Sequence, residues 1–195
     1  MSKAKETKEK IIKQAAELFN QQGYLGSSVS DIMRATGLKK GGIYNYFQSK
    51  DELALQAFDF AYGCVSQRYR DALKGKRGAK ERLQAIVSVF LSYMENPPIQ
   101  GVCPLLNRCI EKGTYTPRLT GTGTRGNDCL AAVDLSNLEK GIAKGEFSPT
   151  VEADGVATII ISTLEGSLMM SKLYGNSIHL ERAVKHLSDY IENNL

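Results

Sequence analysis

Long apolar runs are missing from this chain of 195 residues. Nothing in it approaches the roughly 18 uninterrupted apolar residues that a membrane-spanning helix needs. The longest apolar region, Val156 to Met170, is broken by Thr158, Ser162, Thr163, Glu165, Gly166 and Ser167. The lysines near the N-terminus have no apolar stretch behind them, so no secretory signal or membrane association is expected, and a cytoplasmic location is. Imidazoles are scarce, with only His179 and His186. The four cysteines, Cys64, Cys103, Cys109 and Cys129, contain no C-x-x-C pair, so neither a metal site nor a bound cofactor is expected. A disulfide scaffold is not expected in a chain of this length without an export signal. Strand signals are also absent: no segment reads as a hairpin or as a buried parallel strand.

Helical periodicity dominates what is present. Hydrophobic residues make up 42% and charged residues 24%, enough apolar content for an ordinary core. Residues 6–21 place Ile12, Ala15, Ala16 and Phe19 on one face, and Gly23 ends that helix as a C-cap. Ser28-Val29-Ser30-Asp31 reads as a capping box opening a short helix to Thr36, which Gly37 terminates. A second short helix is expected over Lys39 to Phe47, and Ser49 starts a long one with Asp51 and Glu52 in its first turn. Residues 79–95 carry a continuous apolar stripe that Asn96-Pro97-Pro98 ends. Further helices are expected near 103–112, 127–144, 151–174 and 178–193. The sum is an all-α chain of about nine helices. The segment 151–174 is apolar almost all round, so it is expected in a core or in a subunit interface.

Charge is unevenly placed. Residues 1–50 hold eight Lys and one Arg against Glu6, Glu9, Glu17 and Asp31, a local net charge of +5 against +4 for the whole chain. The excess suits a polyanionic partner, and equally a solvated lysine-rich face. The short helix after Gly37 is chemically unusual for a core element. Lys39-Lys40-Gly41-Gly42 opens it and Tyr44, Asn45 and Tyr46 follow, although each glycine costs a helix about 1 kcal/mol relative to alanine. Two short helices joined through a glycine, behind an amphipathic helix, match the helix-turn-helix pattern.

The run from Thr7 to Leu53 resembles the DNA-binding domain of the TetR family of regulators. The match includes Phe19, Gly23, Tyr24, Asp31, Ile32 and Gly37, and above all the signature G-L-K-K-G-G-I-Y-N-Y-F-Q-S-K-D-E-L from Gly37 to Leu53. The resemblance implies a three-helix DNA-binding domain at residues 5–65 and a helical bundle for effector binding and dimerisation at 66–195. Ser28 would cap the second helix and touch phosphate. Lys39, Lys40, Gly41, Gly42, Tyr44, Asn45 and Tyr46 would line the groove-facing side of the recognition helix, and Lys50 would hold phosphate. Ile32, Leu38, Ile43, Phe47 and Leu53 would lock the domain together. Met33 stands where the family usually has alanine, and Gly42 where it has threonine or serine.

By the same resemblance the partners are double-stranded palindromic operator DNA, a second copy of the chain paired through the last two helices, and an unidentified small-molecule effector. The function implied is a sequence-specific transcriptional repressor released from DNA by that effector, with an activator or an effector-independent DNA-binding protein as alternatives. Candidate pocket residues are Phe58, Tyr62, Tyr69, Phe90, Tyr93, Met94, Leu106 and Met169, each of which also suits core packing. The stretch Gly101 to Asn107 resembles a Gly-Cys-rich segment of one family branch in which the cysteine senses electrophiles. That makes Cys103 either a sensor at the pocket or an inert buried thiol. Gly121, Gly123 and Gly126 spell G-x-G-x-x-G, the fingerprint of a dinucleotide-binding enzyme. No strand precedes them, and no Ser–His–Asp or paired-carboxylate set accompanies them, so no catalytic residue is assigned.

Overall fold

The computed structural model describes residues 2–101, 103–104, 106–107 and 135–195. Cys109, Cys129, the glycine motif at 121–126 and most of the helices expected near 103–112 and 127–144 lie outside the described residues. The protein is all-α, and no strand occurs among the described residues. Eight helices have both limits described: α1 Lys3–Gln22, α2 Val29–Thr36, α3 Lys40–Tyr44, α4 Lys50–Leu73, α5 Ala79–Val89, α6 Ser92–Glu95, α7 Ala153–Tyr174 and α8 Ile178–Asn193. Residues 135–143 are helical as well.

The chain divides into two compact units. The first takes in residues up to Val65 together with the described residues of 99–107, and the second holds the remaining described residues. In the first, Ile11, Ala15 and Ala16 of α1, Ile32 of α2 and Ile43 of α3 share one core with Phe47 and with Leu53, Ala57 and Ala61 of α4. Ile99, distant in sequence, is buried in the same core. In the second unit α7 packs on α8, α8 on α5, and α6 on α7. Ala157, Ile160, Leu164 and Leu168 form the buried face of α7, and Leu180, Val184, Leu187 and Ile191 that of α8. The buried Ser171 hydroxyl accepts from the Leu180 backbone N–H at 2.9 Å, satisfying one of the orphan donors at the start of α8.

The sequence stripe over 79–95 predicts one continuous helix, but the chain is interrupted at Phe90 and Leu91. Around the break the backbone bonds shorten to i→i−3, as in Phe90 N–H to the Val87 carbonyl and Tyr93 N–H to the Phe90 carbonyl. The Ser92 hydroxyl donates to the Val89 carbonyl at 2.7 Å, occupying the acceptor that an α-helical Tyr93 N–H would use. An apolar stripe does not register this competition. The second short helix is likewise briefer than expected, with helical backbone from Lys40 only to Tyr44.

Candidate nucleic-acid interface

The interface begins with the turn into α2. Ser28 has extended backbone, and its hydroxyl accepts from the Asp31 N–H at 3.1 Å, while the Asp31 carboxylate accepts from the Ser28 N–H at 2.8 Å. This is the reciprocal capping box expected from the sequence. Hydrogen bonds from the Ser28 hydroxyl and then its backbone N–H, assisted by Arg34 and Lys50, hold the Asp31 carboxyl below the usual aspartate range. A depressed carboxyl pKa stabilises the fold above the unfolded aspartate range, and that contribution disappears as pH falls through the folded value. We therefore expect Ser28→Ala to lower the thermal midpoint by about 2–4 °C at neutral pH. In melts followed by circular dichroism, the difference should shrink as pH falls through the acid range in which Asp31 protonates in both proteins.

Gly37 closes α2 in the left-handed region, at φ +71°, with its N–H on the Met33 carbonyl at 2.9 Å. That sharp reversal aims α3 away from α2. Ile43 and Phe47 turn inward and are buried. Lys39, Lys40, Gly41, Tyr44 and Asn45 are exposed and lie within one short stretch of surface. The Lys40 ammonium stands 5.9 Å from the centroid of the Tyr44 ring. Gly42 and Tyr46 are only half exposed: a Cβ on Gly42 would meet the Leu38 side chain at 3.7 Å, and Tyr46 packs against the core. A Cβ on Gly41, by contrast, would enter open space. The outward set is therefore narrower than the sequence implied.

Lys50 has a structural partner that its position in the sequence did not indicate. Its ammonium donates to the Tyr24 carbonyl at 2.6 Å and sits 3.9 Å from the centroid of the Tyr24 ring. The Tyr24 hydroxyl donates to Asp51, and the Phe19 ring meets Tyr24 edge-on at 5.8 Å. The beginning of α4 is thus pinned to the loop between α1 and α2. Sequence reading missed this role, because residues 24 and 50 are brought together only by the fold.

The aromatic candidates for an effector pocket are divided between the two units. Phe90 and Tyr93 are fully buried and stacked at 5.3 Å, and Tyr69 is buried, all in the second unit. Met94 is half-buried, whereas Met169 is 48% exposed on α7. In the first unit Phe58 and Tyr62 stack at 6.3 Å, and Leu106 is half-buried. One candidate, Phe58, lines a cavity of about 70 Å³ in that unit, together with residues the sequence did not single out. Cavities that enclose drug-sized ligands run to about 300 Å³ or more.

Cys103 is completely buried. A thiol sealed from solvent does not meet electrophiles, so the structure favours the inert reading over the sensor. On alkylation of the folded protein, mass spectrometry should find Cys103 unlabelled, with labelling appearing only after unfolding. Cys64 is part-exposed, and burial pushes its thiol above the usual cysteine range. No group of three or more metal-ligating side chains occurs among the described residues.

Comparison with known proteins agrees with this geometry. Residues 11–57 match the family model described as bacterial regulatory proteins, tetR family, and residues 79–187 match the tetracyclin repressor-like C-terminal domain. A TetR transcriptional regulator from Chloroflexus aurantiacus is 42% identical, with a TM-score of 0.94 over 99% of this chain and 98% of its own. The transcriptional repressor KstR2 of Mycobacterium tuberculosis is 26% identical over 78% of this chain and 75% of its own length. The TetR family regulator CifR, solved as a cysteine mutant complexed with 26-base-pair operator DNA, is 19% identical with a TM-score of 0.76. It covers 91% of this chain and 94% of its own, and shares the fold.

Proposed function

Because the chain belongs to the TetR family and is a DNA-binding transcriptional regulator of that family, we propose that it is a cytoplasmic repressor of palindromic operators. A non-covalent small-molecule effector releases it. The observation that carries the DNA-binding part is the surface of α3. Lys39, Lys40, Tyr44 and Asn45 are exposed together while Ile43 and Phe47 anchor the helix from behind. In this reading Lys39, Lys40 and Ser28 meet phosphates, Tyr44 and Asn45 reach base edges and sugars, and Gly41 lets the backbone approach the groove wall. Gly42 and Tyr46 support the helix from its flank, and Lys50 fixes the loop that presents Ser28 to the same backbone. The residues up to 65 act as the DNA-binding domain and those from 66 onward as the effector and dimerisation domain.

Support for the dimer comes from α7. Ile159 is 61% exposed and Leu173 73% exposed, at heptad spacing either side of Gly166, with Met169 nearby. By length and composition α7 would also suit a membrane, with a mean hydropathy of 1.3. Its buried face against α8, and the charged outer face of α8 with Glu181, Arg182, Lys185 and Asp189, favour a protein partner instead. The family is one of regulators rather than enzymes, and its C-terminal model spans residues 121–126, so the glycine motif there is better read as part of the regulator than as a nucleotide site.

The test starts with selection of bound duplexes from a random pool. Against the selected duplex, Lys40→Ala should weaken binding across sequences and lower the slope of log affinity against log salt by about 1. Tyr44→Ala should cost about 1–3 kcal/mol with unchanged far-UV circular dichroism. Unaltered affinity in both variants would refute the assignment of the reading surface.

A further inference from the structure

We propose that the small cavity of the first unit is a binding site for a neutral molecule with a ring or short aliphatic end and one neighbouring hydrogen-bonding group. We further propose that occupying it lowers operator affinity. Of the pocket residues expected from the sequence, the site includes Phe58 and none of the others. Its walls are the methyls of Ala16, Ala54, Ala57 and Ala61 and the rings of Phe19 and Phe58. No charged side chain borders it among the described residues. An ion entering would give up its hydration with no counter-charge in return, so the occupant is neutral. The volume of about 70 Å³ is smaller than the roughly 150 Å³ apolar cavities that enclose benzene. A ring or a few carbons therefore fill it, and the rest of the molecule extends outward.

One side of the cavity is polar. Asn20 is buried, and its amide N–H donates to the Gln100 carbonyl at 2.8 Å. The Asn107 amide donates to the Asn20 carbonyl at 2.6 Å. Both asparagines line the cavity, with Pro104 beside them. A hydroxyl or carbonyl next to the apolar end of the occupant meets these amides. The opposite side leads to the DNA-reading elements, because Phe19 and Tyr24 belong both to the cavity wall and to the seat of Lys50. The Lys50 ammonium is 3.9 Å from the Tyr24 ring centroid and 5.9 Å from that of Phe19. An occupant that displaces either ring shifts Lys50 and the loop that leads to Ser28. This coupling rests on the operator-binding reading above; the site itself does not.

The experiment uses the full chain with ¹³C-labelled alanine methyls, titrated with benzyl alcohol and, separately, with benzoate, the anion of similar shape. Benzyl alcohol should give saturable shifts at Ala16, Ala54, Ala57 and Ala61, and benzoate none. At saturation, operator affinity measured by fluorescence anisotropy should fall about fivefold. Ala54→Leu fills the cavity from its own wall and should abolish the shifts at the other three methyls. Should that variant not fold, the alcohol and benzoate pair on the unaltered chain still decides. Non-saturating shifts, an equal response to benzoate, or shifts centred on other alanines would overturn the site. Saturable shifts with unchanged operator affinity would overturn the coupling. Absence of DNA binding by the unliganded chain would instead overturn the regulator reading and leave the methyl shifts to judge the cavity.

Discussion

Replacing Ile159 or Leu173 by glutamate should convert the protein from dimer to monomer at micromolar concentration and weaken operator binding about 100-fold or more. Both side chains are exposed on the protomer, so the substitution leaves the buried face of Leu164 and Leu168 intact. In the pairing proposed, α7 meets its copy along this stripe, so each protomer would place one new carboxylate in the seam. Two charges would then lose water in an apolar seam without a counter-ion, which costs several kcal/mol. The effect on DNA follows from linkage. Once one half-site is held, the second reading helix acts at a high effective concentration, and dissociation into monomers removes that advantage entirely. Sedimentation equilibrium reads the first effect and anisotropy on the selected duplex the second. A variant that stays dimeric at micromolar concentration would show that the pairing surface lies elsewhere.

Gly101→Ala should strongly destabilise the first unit. Gly101 has φ +116°, in a region that side chains disfavour, so strain alone costs about 1–3 kcal/mol. Space is the larger problem. An added Cβ would lie 2.4 Å from the Asn20 carbonyl oxygen and 2.7 Å from its carbon. Both are backbone atoms near the end of α1, and they cannot rotate aside as a side-chain tip does. Either α1 frays or Gln100 and Gly101 withdraw from it, breaking the Asn20–Gln100 hydrogen bond and disturbing that of Asn107 with Asn20. A fall in thermal midpoint of about 10 °C is expected, from roughly 3 kcal/mol or more of lost stability. Asn107→Ala, which removes one hydrogen bond without a clash, should fall by clearly less. A midpoint for Gly101→Ala within 2 °C of the unaltered protein, a limit set from the same scaling, would show that this approach is not the one the folded chain makes.

Much of the first unit was legible beforehand because its signals are local. A serine three residues before an aspartate, a glycine after eight helical residues, and apolar residues at helical spacing each act within a turn or two of chain. Hence the Ser28–Asp31 box, the Gly37 reversal and the inward positions of Ile32, Ile43 and Phe47 match the expectation. The reading surface needed more. That Gly42 faces Leu38, and that Tyr46 leans on the core, depends on the exact pitch of a five-residue helix, which two glycines leave weakly specified.

The amino-acid order by itself determined an all-helical chain with a short helix between Gly37 and Ser49, since capping and periodicity are properties of neighbouring residues, and the signature from Gly37 to Leu53 carried the resemblance to a family of regulators. Only the tertiary structure decided that Lys50 is held by Tyr24, that Gly101 lies against Asn20, and that Cys103 is sealed away. Those outcomes join residues 26 and 80 or more positions apart, or depend on all that surrounds one thiol. Packing selects such pairs by shape across the whole unit, and no local pattern encodes shape at that distance.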